Sequence, residues 1–130
     1  MVRLQSSLVE LVERGIDQKL GETSAQWDPR AALGVVMAAG GYPGDIRKGD
    51  VIHGLETAAT LPGKIFHAGT WLNDGNVVTS GGRVLCATAL GQTVSEAQAQ
   101  AYALLQTVHW EGEYHRTDIG YRAVAREQKT

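Results

Sequence analysis

Glycine is the residue that most constrains how this chain of 130 residues can fold, because it contains sixteen glycines and only three prolines. Glycine permits left-handed backbone angles and close backbone approaches that other residues do not, so this usage predicts tight turns and closely packed loops rather than a flexible linker. The apolar share of 43% and the charged share of 20% are ordinary for a globular protein, which excludes a disordered or collagen-like chain. The length suits about one domain.

The charge balance excludes several classes of partner. Twelve basic residues and fourteen acidic residues give a net charge of −2 without blocks of like charge, which argues against nucleic-acid binding and polybasic membrane contact. No apolar run approaches the roughly 18 residues that span a bilayer, and no signal-peptide core follows the N-terminus. Cys86 is the single cysteine, which favours a reducing compartment. We therefore expect a cytoplasmic protein with no nucleic-acid and no membrane partner.

Hydrophobic periodicity predicts an α+β fold built on a mainly antiparallel sheet. Apolar spacing predicts a helix from Arg3 to about Arg14, followed by a polar linker. The uninterrupted apolar run 31–39 predicts a strand buried on both faces. Asp74-Gly75 is typical of a hairpin turn, because both residues tolerate positive φ angles. The predicted strands cover residues 31–39, 51–55, 64–72, 77–80 and 83–90.

One long helix carries the strongest local signals. Thr93-Val94-Ser95-Glu96 is a capping box, in which the Thr side chain and the Glu side chain satisfy free backbone N–H groups. The apolar positions of this helix form one face and consist of Val94, Ala97, Ala101, Leu104, Leu105 and Val108. A short terminal helix is predicted from Tyr121 to Glu127.

The cysteine and histidine residues do not have the spacing of a metal site or of a catalytic Cys–His pair. Zinc sites need clustered Cys and His side chains, whereas Cys86 stands alone and the four histidines (His53, His67, His109 and His115) show no ligand pair. Cys86 has apolar neighbours, so we interpret it as a small buried hydrophobic residue rather than a nucleophile. The sequence therefore predicts no catalytic residue and no metal ligand.

Three glycine-containing segments remain as candidate binding sites. The first, which we call the glycine loop, consists of Gly40, Gly41, Tyr42, Pro43 and Gly44. It follows a predicted strand, where it is either a structural turn or a ligand loop. The second, which we call the GGR segment, consists of Gly81, Gly82 and Arg83. It places a guanidinium beside backbone N–H groups, which suits either an anion site or a β-bulge with a solvated arginine.

A third segment, Asp118-Ile119-Gly120, lies between Arg116 and Arg122. Two interpretations are open for it. The arginines could face an anion, or Asp118 could cap the terminal helix while the arginines are solvated, and the pattern favours the cap.

Five blocks of the chain together carry a resemblance to a known family. They are residues 35–45, 48–55, 66–70, 77–85 and 118–123. In this order they resemble the C-terminal domain of the phosphoribosylamine–glycine ligase (glycinamide ribonucleotide synthetase) family. Residues 1–8 resemble the closing segment of that family's ATP-grasp domain. Ser7 and Ser80 depart from the pattern, since the family commonly has Asp and Asn at these positions.

The resemblance implies both a domain organisation and an activity. Residues 1–26 would be the last helix of an ATP-grasp domain with a linker, and residues 27–130 the C-terminal α+β domain. The full-length enzyme would join glycine to 5-phosphoribosylamine through glycyl phosphate, a step of de novo purine biosynthesis. ATP and Mg²⁺ (or Mn²⁺) would bind mainly outside this chain, whose partners would be the N-terminal and ATP-grasp domains that it lacks. The chain is therefore expected to be a C-terminal piece of that enzyme, inactive alone.

The resemblance and the chemistry of the two glycine-rich segments lead to one expectation about the site. We expect the glycine loop and the GGR segment to face the cleft shared with the remaining domains and to bind substrate there, with Arg83 binding phosphate through paired hydrogen bonds. Two alternatives stay open: a stand-alone module that binds a phosphosugar or a nucleotide, and a non-catalytic subunit that completes the site of another chain.

Overall fold

The computed structural model describes residues 1–129 and divides the chain into two compact units, Met1–Arg30 and a second unit that begins at Ala31. The first unit contains helix α1 (Leu8–Ile16) and a 3-10 turn (Leu20–Glu22). The predicted helix start at Arg3 is wrong, because Ser7 caps α1 by accepting a hydrogen bond from the Glu10 amide. The residues before Ser7 instead pair with residues 26–28, and the Asp28 amide donates to the Arg3 carbonyl at 2.7 Å.

The second unit confirms the predicted α+β class, with a mainly antiparallel sheet, one long capped helix and a short C-terminal helix. Its main sheet has four strands in the order β2-β5-β1-β6, and strands β3 and β4 form a separate hairpin. All paired strands run antiparallel. In chain order the elements are β1 (Ala31–Ala38), α2 (Leu55–Ala58), β2 (Lys64–His67), β3 (Thr70–Asn73), β4 (Asn76–Thr79), β5 (Arg83–Gly91), α3 (Val94–Leu105), β6 (Tyr114–His115) and α4 (Tyr121–Glu127).

Two strand predictions need correction. Residues 51–55 form no strand; Val51 and His53 each make one isolated bridge, and α2 begins at Leu55. Residues 64–72 were predicted as a single hairpin arm, but they divide into β2 and β3, which belong to different sheets. The division falls at Gly69, where the chain passes so close to the GGR segment that a Cβ would lie 2.7 Å from the Arg83 carbonyl oxygen. The hairpin turn itself is confirmed, with Asp74 at φ 47° and Gly75 at φ 79°.

The main sheet buries one face and leaves the other open. Helix α3 packs across β1 and β5, and the core includes Val35 and Met37 from β1 with Leu104 from α3. The prediction that β1 is buried on both faces is wrong, because its side chains alternate and Val36 is 46% exposed. An antiparallel sheet commonly has only one covered face, and an apolar sequence does not distinguish that case from full burial. The open face carries the candidate site.

The predicted Thr93 cap of α3 is confirmed, while Glu96 reaches back to the amide of Gln92 and not to that of Thr93. The Thr93 hydroxyl accepts a hydrogen bond from the Glu96 amide at 3.1 Å, and the Glu96 carboxylate accepts one from the Gln92 amide at 2.7 Å. These bonds satisfy N–H groups that have no partner inside the helix.

Replacing Thr93 by Ala is therefore expected to lower the free energy of unfolding by about 1 kcal/mol, since the Glu96 amide loses its acceptor. Urea denaturation followed by circular dichroism measures the change. Ser95→Ala is the control, because Ser95 is an exposed residue of the first helical turn, and its effect should stay within about 0.5 kcal/mol. Equal effects of the two substitutions would contradict the capping role.

The longest described helix, α3, has 12 residues, and no helix in residues 1–129 has the length and apolar character needed to cross a membrane.

Candidate functional site

The backbone of the glycine loop depends on Gly41, which tolerates no side chain. Gly41 has a φ angle of 89°, and a Cβ on it would collide with the carbonyl oxygen of Asp45. The Gly44 amide donates to the Gly41 carbonyl at 2.8 Å, and the Arg47 amide donates to the Gly40 carbonyl at 2.9 Å. The segment is therefore a tightly closed turn after β1.

A register shift sets the direction of Arg83. Val36 pairs with Cys86 and Met37 with Leu85, but Ala38 then pairs with Arg83, so β5 contributes one extra residue at this point. Directly paired residues lie on the same face of a sheet, and such a bulge turns the following side chains to the other face. Arg83 consequently lies on the open face together with Val36 and Cys86. The β-bulge that the sequence left as an alternative is present, and it is what brings Arg83 to the groove.

The glycine loop and the GGR segment lie directly against each other. The Ala39 amide donates to the Gly82 carbonyl at 2.8 Å, and a Cβ on Gly82 would lie only 2.6 Å from Cδ2 of Tyr42. The Tyr42 ring therefore packs over the Gly82 backbone. Two segments that are about forty residues apart in the sequence form a single local structure at the end of β1.

Beside this contact, the open face contains a groove made of two adjoining cavities of about 600 and 460 Å³. Val36, Tyr42 and Arg83 line both cavities. Gly82 and Cys86 add to the larger cavity, and the smaller one is completed by residues that include Pro43, Tyr114 and Arg116. No Asp or Glu of the described chain lines either cavity. We call this feature the sheet groove; its charged lining is cationic.

Arg83 and its neighbours retain unused hydrogen-bond donors. Among residues 1–129, no carboxylate forms an ion pair with the Arg83 guanidinium. In the same part of the chain, the Gly81 and Gly82 amides donate to no protein acceptor. A guanidinium beside free N–H groups forms an arrangement that binds an anion through several hydrogen bonds.

The third glycine-containing segment borders the same groove. Arg116 donates two hydrogen bonds to the Asp118 carboxylate, at 2.9 and 2.7 Å, which lower the pKa of Asp118 and raise the pKa of Arg116. The prediction that Asp118 caps the terminal helix is wrong: the residue at the cap of α4 is Gly120, with φ 85° and no capping side chain. Arg122 lies over the ring of Tyr121, outside the sheet groove.

The structure separates the eight predicted site residues into two groups. Four of them line the sheet groove, namely Tyr42, Pro43, Gly82 and Arg83. The other four, Gly40, Gly41, Gly44 and Gly81, lie outside its lining and shape the backbone that carries those residues. Substrate binding by these eight residues stays a prediction.

Sequence reasoning missed Tyr114, Gly69 and His115 as groove residues. Tyr114 and His115 form the two-residue strand β6, which is too short for a periodic signal. Nδ1 of His115 is hydrogen-bonded to the Glu113 carboxylate at 2.7 Å. Gly69 stands in a region that reads as a continuous strand, and only its glycine identity could have indicated the close approach to Gly81.

Comparison with known proteins gives one family match. Residues 32–122 match the family model described as "Phosphoribosylglycinamide synthetase, C domain". This stretch spans β1 through the start of α4 and includes every residue of the glycine loop and the GGR segment.

Relatives with high sequence identity share the name phosphoribosylamine–glycine ligase. The chain is 63% identical over 128 residues to a phosphoribosylamine–glycine ligase of Pseudomonas putida and 65% identical over 128 residues to that of Pseudomonas syringae pv. tomato. Each match covers 98% of this chain but only 30% of the relative. A crystal structure of phosphoribosylamine–glycine ligase from Thermotoga maritima is similar with a TM-score of 0.62 and 40% identity, over 86% of this chain and 29% of that one. The chain thus spans less than a third of the length of these relatives.

Proposed function

The chain belongs to the phosphoribosylglycinamide synthetase C-domain family, and on that premise we propose that it acts as the C-terminal domain of a phosphoribosylamine–glycine ligase. The whole enzyme would couple ATP cleavage to amide formation in purine biosynthesis. The first 26 residues would close an ATP-grasp domain, and residues 27–130 would form the domain that carries the sheet groove.

The proposed reaction has two steps. The carboxylate of glycine attacks the terminal phosphorus of ATP, which gives glycyl phosphate and ADP. The amine of 5-phosphoribosylamine then attacks the glycyl carbonyl carbon, loses a proton and expels inorganic phosphate, which leaves the amide product. Both substrates of the second step carry phosphate groups, so a domain that binds phosphate can align them.

One observation carries the role of this domain: Arg83 lies in a groove with no lining carboxylate, directly after Gly82, which also lines the groove and whose amide donates to no protein acceptor in residues 1–129. Arginine binds a phosphate through two parallel hydrogen bonds, and backbone N–H groups add further donors. Cavities of about 600 and 460 Å³ lie within the range of roughly 300–1,000 Å³ that is usual for small-molecule sites. We assign the groove to the 5-phosphate of the phosphosugar substrate.

ATP and divalent metal would bind to the other domains of the enzyme. Magnesium prefers carboxylate oxygens, and residues 1–129 contain no group of three His, Cys, Asp or Glu side chains arranged to hold a metal ion. The described residues of this chain would therefore not hold the magnesium ion.

A chimeric enzyme tests the proposal. The matched C-terminal segment of the Pseudomonas putida enzyme is replaced by this chain, which is 63% identical to it over 128 residues. We expect the chimera to form product with a kcat/KM within about tenfold of the parent. The same parent without the segment is the control and should form none. A chimera that unfolds at the temperature of the parent yet forms no product would contradict the proposal.

A further inference from the structure

Asp50 connects the two segments that form the sheet groove. Its carboxylate forms an ion pair with Arg47, in which Oδ1 of Asp50 lies 3.0 Å from Nε of Arg47. Its backbone amide donates to the Thr79 hydroxyl at 3.1 Å, and its carbonyl accepts from the Thr79 amide at 2.9 Å. Arg47 lies three residues after the glycine loop, and Thr79 lies two residues before Gly81, the first residue of the GGR segment. A single residue is thus bonded to a residue that follows the glycine loop and to a residue that precedes the GGR segment.

Arg47 connects the first residue of the glycine loop to Glu111. The Arg47 amide donates to the Gly40 carbonyl at 2.9 Å, and its guanidinium donates to the Glu111 carboxylate at 3.1 Å. The hydrogen bond to Glu111, and then the negative charge of Asp50, raise the pKa of Arg47. Gly40 in turn lies against the Gly112 backbone, where a Cβ would come within 3.3 Å of the Gly112 carbonyl oxygen. The loop is therefore closed on itself and attached to residues 111–112.

Thr79 holds the other segment. It is 1% exposed, and its carbonyl accepts a hydrogen bond from the Gly49 amide at 2.7 Å. The next residue, Ser80, donates its amide to the Gly69 carbonyl at 2.8 Å. Because Gly81, Gly82 and Arg83 follow immediately, the position of Thr79 determines where the GGR segment begins.

The burial of Asp50 gives its ion pair a larger role than a surface pair has. The Asp50 side chain is 10% exposed, and within residues 1–129 its Oδ2 atom is buried and accepts no hydrogen bond. A buried carboxylate needs a nearby cation, since the loss of its partner leaves an uncompensated charge. Exposed ion pairs, by contrast, contribute little to structure. Arg47 is the cation that stabilises this carboxylate.

We propose that Asp50 and Arg47 are positioning residues, which hold the glycine loop and the GGR segment at the separation that a phosphate monoester requires. Neither residue lines the sheet groove, so both act through Tyr42, Gly82 and Arg83. The inference rests on the proposed function, because the groove must bind a sugar phosphate for the separation to matter. A change in the separation of the two segments weakens the paired hydrogen bonds that Arg83 donates, because the strength of those bonds depends on their geometry.

The experiment is an NMR titration of the 130-residue chain with ribose 5-phosphate as the probe. Asp50→Asn is expected to raise the Kd by about tenfold, because it displaces the hydrogen-bond donors of the groove. Asp50 itself does not line the groove. An increase in the Kd is informative, because the loss of a negative charge would by itself strengthen the binding of an anion and lower the Kd. Asp74→Asn is the matched control: it removes the same charge in the exposed hairpin turn, where Asn tolerates the φ of 47°. Its Kd should equal that of the unmodified chain or be lower.

Amide resonances separate this inference from the proposed function. In Asp50→Asn without ligand, the resonances of Gly41 and Gly82 should move while those of α3 stay in place. Unchanged Gly41 and Gly82 resonances overturn the inference, whatever the chain binds. If Arg83→Gln loses ribose 5-phosphate but Asp50→Asn binds it normally, the inference fails and the proposed function stands. If Arg83→Gln binds as well as the unmodified chain, the proposed function fails.

A second variant covers the case in which Asp50→Asn does not fold. Arg47→Lys keeps a cation beside Asp50 but loses the forked donor that reaches Asp50 and Glu111 together. We expect it to fold and to raise the Kd by a smaller factor than Asp50→Asn. A Kd equal to that of the unmodified chain would overturn the inference.

Discussion

Replacing Arg83 by Gln in the chimeric ligase is expected to raise the KM for phosphoribosylamine by about ten- to a hundredfold. A hydrogen bond to a charged group contributes roughly 1.5–3 kcal/mol, and Arg83 has no carboxylate partner in residues 1–129 that would compete for it. If the phosphate contact is equally strong in the ground state and in the transition state, kcat changes little and the effect falls on KM. Steady-state kinetics with each substrate varied in turn measure the effect.

Arg122→Gln is the matched control for Arg83→Gln. Arg122 is also exposed, but its guanidinium lies over the Tyr121 ring of α4 and lines neither cavity of the sheet groove. The control should leave all three KM values unchanged. Unchanged kinetics for Arg83→Gln together with a lower melting temperature would mean that Arg83 serves the fold and not the substrate.

Leu104→Ala is expected to lower the free energy of unfolding by about 2–5 kcal/mol, because it removes buried methyl groups and leaves a cavity. Leu104 is 1% exposed and belongs to the core that α3 forms with β1 and β5. Since small domains have a total stability of about 5–15 kcal/mol, this loss is a large share of the whole. Urea denaturation of the 130-residue chain, with and without the substitution, measures it.

Leu72→Ala controls for the removal of a leucine side chain as such. Leu72 lies on strand β3 and is 66% exposed, so the same truncation should change the free energy of unfolding by no more than about 0.5 kcal/mol. Equal losses for Leu104→Ala and Leu72→Ala would contradict the assignment of the core to the covered face of the main sheet.

Local signals explain which elements the sequence predicted correctly. The Thr93 cap, the apolar face of α3 and the Asp74-Gly75 turn each depend on residues within a few positions of one another. The same holds for α4, which has the predicted bounds of Tyr121 and Glu127. Where a stronger local cap was overlooked, as at Ser7, the predicted helix started too early.

Long-range contacts account for the failures. Residues 51–55 have strand-forming side chains, but the chain turns into α2 at Gly54, which has a φ of 88° and lies so close to Thr107 that a Cβ would collide with the Thr107 carbonyl oxygen. Nothing in the apolar run 31–39 tells which face α3 covers, so the exposure of Val36 was not predictable from the pattern alone. Both outcomes depend on elements distant in the sequence.

The candidate site shows the same limit. Each glycine-rich segment was recognisable by composition, but their contact depends on the pairing of β1 with β5. The orientation of Arg83 depends further on a one-residue shift in that pairing, which places Ala38 opposite Arg83. The paired glycines indicate that a bulge can form here, but they do not say which residue of β5 is the extra one, and that decides which face of the sheet Arg83 occupies.

The central claim is that the sheet groove binds the phosphate of a phosphosugar through Arg83 and the neighbouring amides. A crystal structure of this chain with ribose 5-phosphate tests it most directly. The account predicts the phosphate in the groove, with oxygens about 2.7–3.2 Å from the Arg83 guanidinium and from the Gly81 or Gly82 amide nitrogen. A phosphate bound elsewhere on the chain, with the groove empty and Arg83 turned to solvent, would contradict the claim.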